Sequence, residues 1–247
     1  MTYCVGMMLR DGLVFMSDTR TNAGLDNIST FKKMKIWHEP GDRVITLMSA
    51  GNLATTQSVI SLLDERSKMP EDRTSSLMKA PSMFQAACMV GDTSREVIHD
   101  LTQGGQRADA GFDATLILGG QVAGGAPRLF LIYPEGNFIE AGEDTPFFQI
   151  GEIKYGRPIL VRAYDKDLNF PSALKLLLVS FDSTLKANLS VGMPLDYFCY
   201  ETDSFLVEHQ GRVDADNPQF QTISTGWGDA LKLALDTLPD VSMDPDC

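Results

Sequence analysis

Two nearly uninterrupted apolar runs, Tyr3–Leu9 and Leu13–Met16, open the chain, separated by Arg10-Asp11-Gly12, a loop with Gly placed for positive φ. Continuous rather than alternating apolar character predicts strands covered on both faces, by a second sheet on one side and helices on the other. A second hairpin is predicted over Met34–His38 and Arg43–Ala50, joined by the turn residues Glu39-Pro40-Gly41-Asp42. From Asn52, a good N-cap residue, the pattern changes to helical spacing, with Leu53, Val59, Ile60, Leu62 and Leu63 on one face and an end near Ser67, before Pro70. A second helix is expected from about Pro81 to Leu101, with Ser82 near its start and Gly104-Gly105 after its end.

Strand signals return at Ala114–Leu118, Arg128–Tyr133 and Asn137–Ala141, the last two turned by Pro134-Glu135-Gly136. One helix is then expected after Gly151 and another across Ser172–Leu189, which carries Leu174, Leu177, Leu178, Phe181 and Leu185 on one stripe. Late strands are predicted near Asp196–Tyr200 and Phe205–His209, and a short helix near Asp229–Leu238. Strands, two helices, strands, two helices, strands is a segregated α+β order, and it fits a four-layer αββα sandwich of two antiparallel sheets between helix pairs. No linker divides residues 1–247, which read as one domain with 211–247 as a C-terminal extension.

Composition narrows the function classes. Apolar residues make up 43% and charged residues 22%, values of an ordinary folded chain that can bury a large core. A formal net charge of −12 argues against a nucleic-acid surface, which needs a basic face. Neither a bilayer-spanning run nor a signal-peptide pattern is present, so a cytoplasmic location without a membrane partner is expected. Cys4, Cys88, Cys199 and Cys247 are scattered, and His38, His99 and His209 sit on unrelated elements, so neither a zinc site nor a disulfide framework is suggested.

The chemistry lies at the start of the chain. Removal of Met1 makes Thr2 the N-terminal residue, supplying a hydroxyl nucleophile and an α-amine base in one residue. If Arg10-Asp11-Gly12 is a three-residue hairpin loop, Leu9 pairs with Leu13, Thr2 lies opposite Arg20, and Asp18 is the diagonal neighbour of Thr2. Lys33 arrives at the start of the next strand. Paired with Asp18, its positive charge favours the alkoxide and depresses the amine pKa. Ser49-Ala50-Gly51-Asn52 marks a strand-to-helix junction whose backbone N–H can face a developing oxyanion.

Several short segments then carry a resemblance. Ser17-Asp18-Thr19-Arg20-Thr21-Asn22-Ala23-Gly24 resembles the proteasome β-subunit pattern Asp-Ser/Thr-Arg-Ala-Thr-Ala-Gly, Thr30-Phe31-Lys32-Lys33 its Thr-Val-Lys-Lys, and Met48-Ser49-Ala50-Gly51 its Met-Ala-Gly. Thr2-Tyr3-Cys4-Val5-Gly6, Ala50-Gly51-Asn52-Leu53-Ala54-Thr55-Thr56 and Ile150-Gly151-Glu152-Ile153-Lys154-Tyr155-Gly156 are similar to the bacterial branch called Anbu, the ancestral β-subunit proteasome-type proteases. The likeness spans about residues 2–210. It implies an N-terminal-nucleophile hydrolase fold with Thr2 as nucleophile, Asp18 and Lys33 as its electrostatic partners, Gly51 as oxyanion donor and Ser190 as the family's second serine. It also implies a substrate pocket lined by Thr21, Asn22, Phe31, Lys35, Ser49 and Leu53, with Lys35 available to neutralise an acidic substrate group. The implied activity is that of a threonine peptidase acting on peptides or unfolded protein through an acyl-enzyme, in a homo-oligomeric ring or spiral. No metal or organic cofactor is needed, and the residues are silent on an unfoldase partner.

Two positions depart from the family pattern. Gly151-Glu152-Ile153 stands where the family has Gly-Ser-Gly, and Ala187 stands where an Asp normally precedes Ser190 by three residues. Glu152 either replaces the lost acceptor, raising the amine pKa, or caps the following helix. The same residues leave room for an amidase or acyltransferase on a small substrate, and for a catalytically silent ring subunit.

Overall fold

The computed structural model describes residues 1–22, 28–68, 76–103, 111–241 and 243. The sequence signals at Ala23-Gly24, Pro70 and Gly104-Gly105, and Cys247, lie outside these residues, as does the side chain of Asn22. In chain order the elements are β1 (Tyr3–Leu9), β2 (Gly12–Asp18), β3 (Arg20–Asn22), β4 (Ile28–Thr30), β5 (Met34–Glu39), β6 (Arg43–Gly51), α1 (Leu53–Lys68) and α2 (Met83–Gln103). They continue with β7 (Ala114–Val122), β8 (Arg128–Ile132), β9 (Phe138–Glu140), β10 (Phe147–Gly151), α3 (Arg157–Ala163), α4 (Phe170–Ala187), β11 (Leu195–Glu201), β12 (His209–Val213) and α5 (Pro218–Asp236).

One antiparallel sheet runs β10-β1-β2-β11-β12 and the other β5-β6-β7-β8-β9, with β3 and β4 forming a small ribbon beside them. Three apolar clusters define four layers. Cys4, Leu13, Phe15, Val44, Met48, Ile117 and Phe198 meet between the sheets. Tyr3, Val5, Met7, Val14 and Met16 face Leu177 and Phe181 of α4 on one outer side. Ile45, Leu47, Leu116 and Leu118 face Val59 and Leu63 of α1 and Val90 of α2 on the other. Alternate residues of β1 thus enter two different apolar layers, which is why its sequence lacks a polar face. Among the described residues no helix is long and apolar enough to cross a membrane.

Helix starts follow local chemistry. Asn52 Oδ1 accepts the Thr55 amide at 3.2 Å, Ser82 Oγ that of Gln85 at 3.2 Å, and Asn169 Oδ1 that of Ser172 at 2.9 Å.

Four expectations change. The first hairpin pairs Leu9 with Gly12, not Leu13, so Cys4 lies opposite Ser17 and the turn is the two residues Arg10-Asp11. The reason is that Gly12 belongs to the ladder. At φ +154° it pairs with Glu201 of β11 as well as Leu9, and a Cβ there would come within 1.9 Å of the Tyr200 carbonyl oxygen. The one-residue shift carries Asp18 opposite Tyr3 rather than diagonal to Thr2. The last strand is His209–Val213, not Phe205–His209, because Asp203 and Phe205 take positive φ (62° and 46°) in a loop held by Gln121, which accepts the Asp203 amide at 2.9 Å. The final helix spans Pro218–Asp236 rather than the predicted Asp229–Leu238, started by Asn217, whose Oδ1 accepts the Phe220 amide at 3.0 Å, with a proline in its first turn. Finally β10, which edges the first sheet beside β1, has no counterpart in the sequence reading; its Phe147-Phe148-Gln149-Ile150 is too short a run to stand out.

Candidate active site

The register of β1 and β2 creates the polar centre. Asp18, at the end of β2, is fully buried. Its Oδ1 accepts the Tyr3 amide at 2.9 Å and Lys33 Nζ at 2.7 Å, and its Oδ2 accepts the Gly192 amide at 3.3 Å. Lys33, also buried, donates a second bond to the Arg20 carbonyl at 2.7 Å. Burial pushes the Asp18 carboxyl upward, and Lys33 with the two backbone donors opposes it. The ion pair is therefore held from three sides, by Tyr3 at the start of the chain, by Gly192 and by Arg20.

Above the pair lies a cleft of about 180 Å³ whose lining brings together Thr2, Thr21, Phe31, Lys33, Ser49, Gly51 and Leu53. Met1, Arg20, Lys32, Ala50, Thr56, Gln57 and Ile60 complete it. Leu53, Thr56, Gln57 and Ile60 follow the i, i+3, i+4, i+7 spacing of one face of α1, so helical periodicity applied from Leu53 finds the three that the sequence reading missed.

Lys35 does not join them. Its ammonium pairs with Asp64 of α1 at 2.8 Å and lies 5.7 Å over the Trp37 ring. The expectation that Lys35 neutralises a substrate charge in the cleft therefore gives way: that charge is already matched. Lys32 lines the cleft instead.

Gly51 ends β6 at the junction with α1, at φ +125°. A Cβ there would come within 2.3 Å of the Asp113 carbonyl oxygen, so the position combines a left-handed conformation with a close backbone approach. Gly51→Ala is expected to lower stability by about 1–3 kcal/mol and to displace the strand-to-helix junction from the cleft. Urea denaturation checks this, and an unchanged midpoint would show that the junction relaxes freely.

The chain start is bracketed from both sides. The Met1 ammonium donates to the Ser190 carbonyl at 3.4 Å, and the Glu152 amide donates to the Thr2 carbonyl at 2.7 Å. Burial lowers the pKa of the terminal ammonium, and the charge of Lys33 adds to that, whereas Asp18 and Glu152 act in the opposite sense. The Ser190 hydroxyl turns away, to Asn188 Oδ1 at 2.6 Å, so Ser190 meets the chain start through its carbonyl. Glu152 does not cap α3: its Oε1 accepts the Lys154 amide at 3.2 Å, ahead of the helix, whose N-cap Gly156 has no side-chain bond. Its Oε2 accepts Asn188 Nδ2 at 2.9 Å. The family pattern has its acid at position 187 and gives no signal for Asn188, where the polar residue stands in this chain.

Three comparisons with known proteins give the family of the chain. Residues 2–193 match the family model described as Proteasome subunit. Among curated proteins, "Proteasome subunit beta 2" of Nitrosopumilus maritimus is 25% identical over 218 residues, covering 85% of this chain and 91% of that protein. Among solved structures, Anbu (ancestral beta-subunit) from Yersinia bercovieri is 49% identical, covers 98% of this chain and 100% of its own, and superposes with a TM-score of 0.91. The Anbu complex from Pseudomonas aeruginosa, described as a helical assembly, is 46% identical, covers 98% of both chains and gives a TM-score of 0.90. With its two sheets between helix pairs and its chain start set over a buried Lys-Asp pair, the chain belongs to the proteasome subunit family, alongside the Anbu proteins.

Proposed function

We propose that the chain is a threonine-type peptide hydrolase of the cytoplasm, with Thr2 exposed by removal of Met1 as the nucleophile. The observation that carries this reading is the buried Lys33–Asp18 pair at 2.7 Å beneath a cleft that Thr2 and Gly51 share. The Thr2 amine takes the proton of its own hydroxyl, and the oxygen attacks the substrate carbonyl while the junction at Gly51 faces the oxyanion. Collapse of the tetrahedral species breaks the C–N bond, the ammonium returns its proton to the leaving amine, and water hydrolyses the resulting ester. Lys33 favours the neutral amine at the outset and the alkoxide at attack.

The cleft is smaller than the roughly 300–1,000 Å³ typical of small-molecule sites. A single side chain of an extended peptide fits it, which favours a peptide over a bulky acyl donor. Intact mass with and without an epoxyketone tests the proposal, since that warhead bonds both the hydroxyl and a free amine of one residue. A single adduct on Thr2 is the expected result, and a protein that stays unmodified while remaining folded removes the reading.

Side-chain preference should follow the cleft lining. Leu53→Ala is expected to change the ranking of short amide substrates, and Lys35→Ala to leave it unchanged because Asp64 already holds that charge. Profiling both variants on one peptide set checks this, and an equal change in the two would show that Lys35 reaches the substrate.

A homo-oligomeric ring or spiral is proposed as the working form. Leu231, Leu233 and Leu235 are exposed on α5, and the Anbu relative from Pseudomonas aeruginosa forms a helical assembly. A repeated head-to-tail contact generates either form. Light scattering at micromolar concentration is expected to show masses well above 27.1 kDa, and a monomer alone would refute the assembly.

A further inference from the structure

Glu152, Asn188 and Ser190 are joined in a row that ends at the start of the chain. Glu152, nearly fully buried, accepts Asn188 Nδ2 on Oε2 at 2.9 Å. Asn188 Oδ1 in turn accepts the Ser190 amide at 3.0 Å and the Ser190 hydroxyl at 2.6 Å. Two donors on one oxygen hold Ser190 in a single orientation, with its carbonyl 3.4 Å from the terminal nitrogen. From the other side the Glu152 amide holds the Thr2 carbonyl at 2.7 Å. The Thr2 nitrogen lies between these two contacts along the backbone, so an amine freed by loss of Met1 begins inside the same bracket.

The donor count shows what this row is for. Asn188 spends one of its two amide hydrogens on the Glu152 carboxylate and its carbonyl on the Ser190 amide and hydroxyl, so it links the buried anion to the residue whose carbonyl meets the terminal nitrogen. Resting catalysis needs a neutral amine, but the amine becomes an ammonium once it has taken the hydroxyl proton. Lys33 opposes that ammonium, and an acceptor with a buried anion behind it supports it. On the Met1 ammonium, which occupies this bracket in the structure, burial acts first, followed by the charges of Lys33 ahead of β5, Asp18 at the end of β2 and Glu152 after β10.

We infer that Glu152 and Asn188 are positioning residues that act through Ser190 to hold the N-terminal amine and to stabilise its protonated form during acyl transfer. The inference rests on the proposed role of Thr2. It gives a physical account of both departures from the family pattern at once, because the carboxylate moved to position 152 reaches Ser190 through an amide at position 188 rather than through an acid at position 187.

The test reads the amine directly. The rate of N-terminal acetylation is followed against pH by mass spectrometry of the terminal peptide in the full-length protein and in Glu152→Gln, Asn188→Ala and the double variant. Gln keeps the size and an acceptor oxygen while removing the charge. Each single variant is expected to move the amine's midpoint to lower pH by about half a unit or more, and the double variant to move it no further than the larger single shift, because the residues act in series. A role confined to packing would lower Tm and leave the midpoint in place. Midpoints at the wild-type value in both folded single variants overturn the inference, as do fully additive shifts. If the midpoints move as expected but wild-type protein forms no epoxyketone adduct, the relay stands and the hydrolase reading falls.

Discussion

Replacing Thr2 by Ala is expected to reduce turnover of short amide substrates on the order of 10⁴-fold or more, equivalent to at least about 5 kcal/mol of lost transition-state stabilisation. No second hydroxyl takes over: the Ser190 hydroxyl is bonded to Asn188, and Thr21, Ser49 and Thr56, although in the cleft lining, have no amine of their own. The fold should be unaffected, because the bond that Thr2 makes across to β10 uses its carbonyl, which Ala retains. Melting temperatures within about 2 °C of each other, together with the lost turnover, would assign the effect to chemistry. Thr2→Ser, which keeps hydroxyl and amine, should retain measurable activity. Substantial turnover by Thr2→Ala would remove Thr2 from the mechanism.

The second large effect is expected from Lys33→Ala, and here stability and activity fall together. The substitution leaves the fully buried Asp18 with two backbone donors but no cation. Breaking a buried pair from one side costs about 3–5 kcal/mol, much of it the charge left behind. The pH dependence follows from the raised pKa of Asp18. A carboxyl whose folded pKa exceeds its unfolded value is favoured in the protonated form, so its stabilising contribution is full below the unfolded pKa and is lost as pH rises through the folded value. Without Lys33 that folded value climbs further, so the stability deficit of Lys33→Ala should be largest at neutral pH and shrink as the buffer is taken down toward pH 4. Adding Asp18→Asn in the same background removes the stranded charge and should restore much of the lost Tm without restoring activity. A deficit independent of pH would mean that Asp18 stays ionised by other means.

Activity gives a second readout of the same substitution. Burial first, and then the charge of Lys33, lower the pKa of the Met1 ammonium, and the Thr2 amine exposed at the same place is expected to feel the same charge. Its loss raises that pKa, so more base is needed to free the amine, and the acid limb of kcat/KM for any residual turnover should move to higher pH. Glu152→Gln is expected to move the amine in the opposite direction. The pair of variants thus separates the two sides of one electrostatic balance, and shifts of the same sign would contradict it.

Much of the architecture was legible in the order of apolar runs. The continuous character of Tyr3–Leu9 announced a strand covered twice, and its residues do divide between the inter-sheet layer and the layer under α4. The cap signals at Asn52 and Ser82 placed α1 and α2 because capping is a contact between residues two or three apart in sequence. The late strand failed for the opposite reason. What ends β11 and delays β12 is Gln121, from the other sheet, gripping the loop at Asp203. No pattern local to residues 202–208 carries that information.

The candidate site divides along the same line. Short segments around Asp18, Lys33 and Gly51 pointed to the residues, because each sits at an element end whose local chemistry is distinctive. Distances between them depend on register, and register turned on Gly12 pairing simultaneously with β1 and β11, which puts Asp18 beside the Tyr3 amide. Lys35 and Asn188 show the limit most plainly. Sequence alone determined that a lysine follows Lys33 by two positions and that Ala187 lacks a carboxylate. Only the tertiary structure decided that Asp64 on α1 claims the first and that Glu152, 36 residues from Asn188, stands behind the second. Local patterns specify which groups a chain offers, whereas partnership between groups is set by the packing of elements distant in sequence, where a single buried carboxylate or glycine selects one arrangement from several.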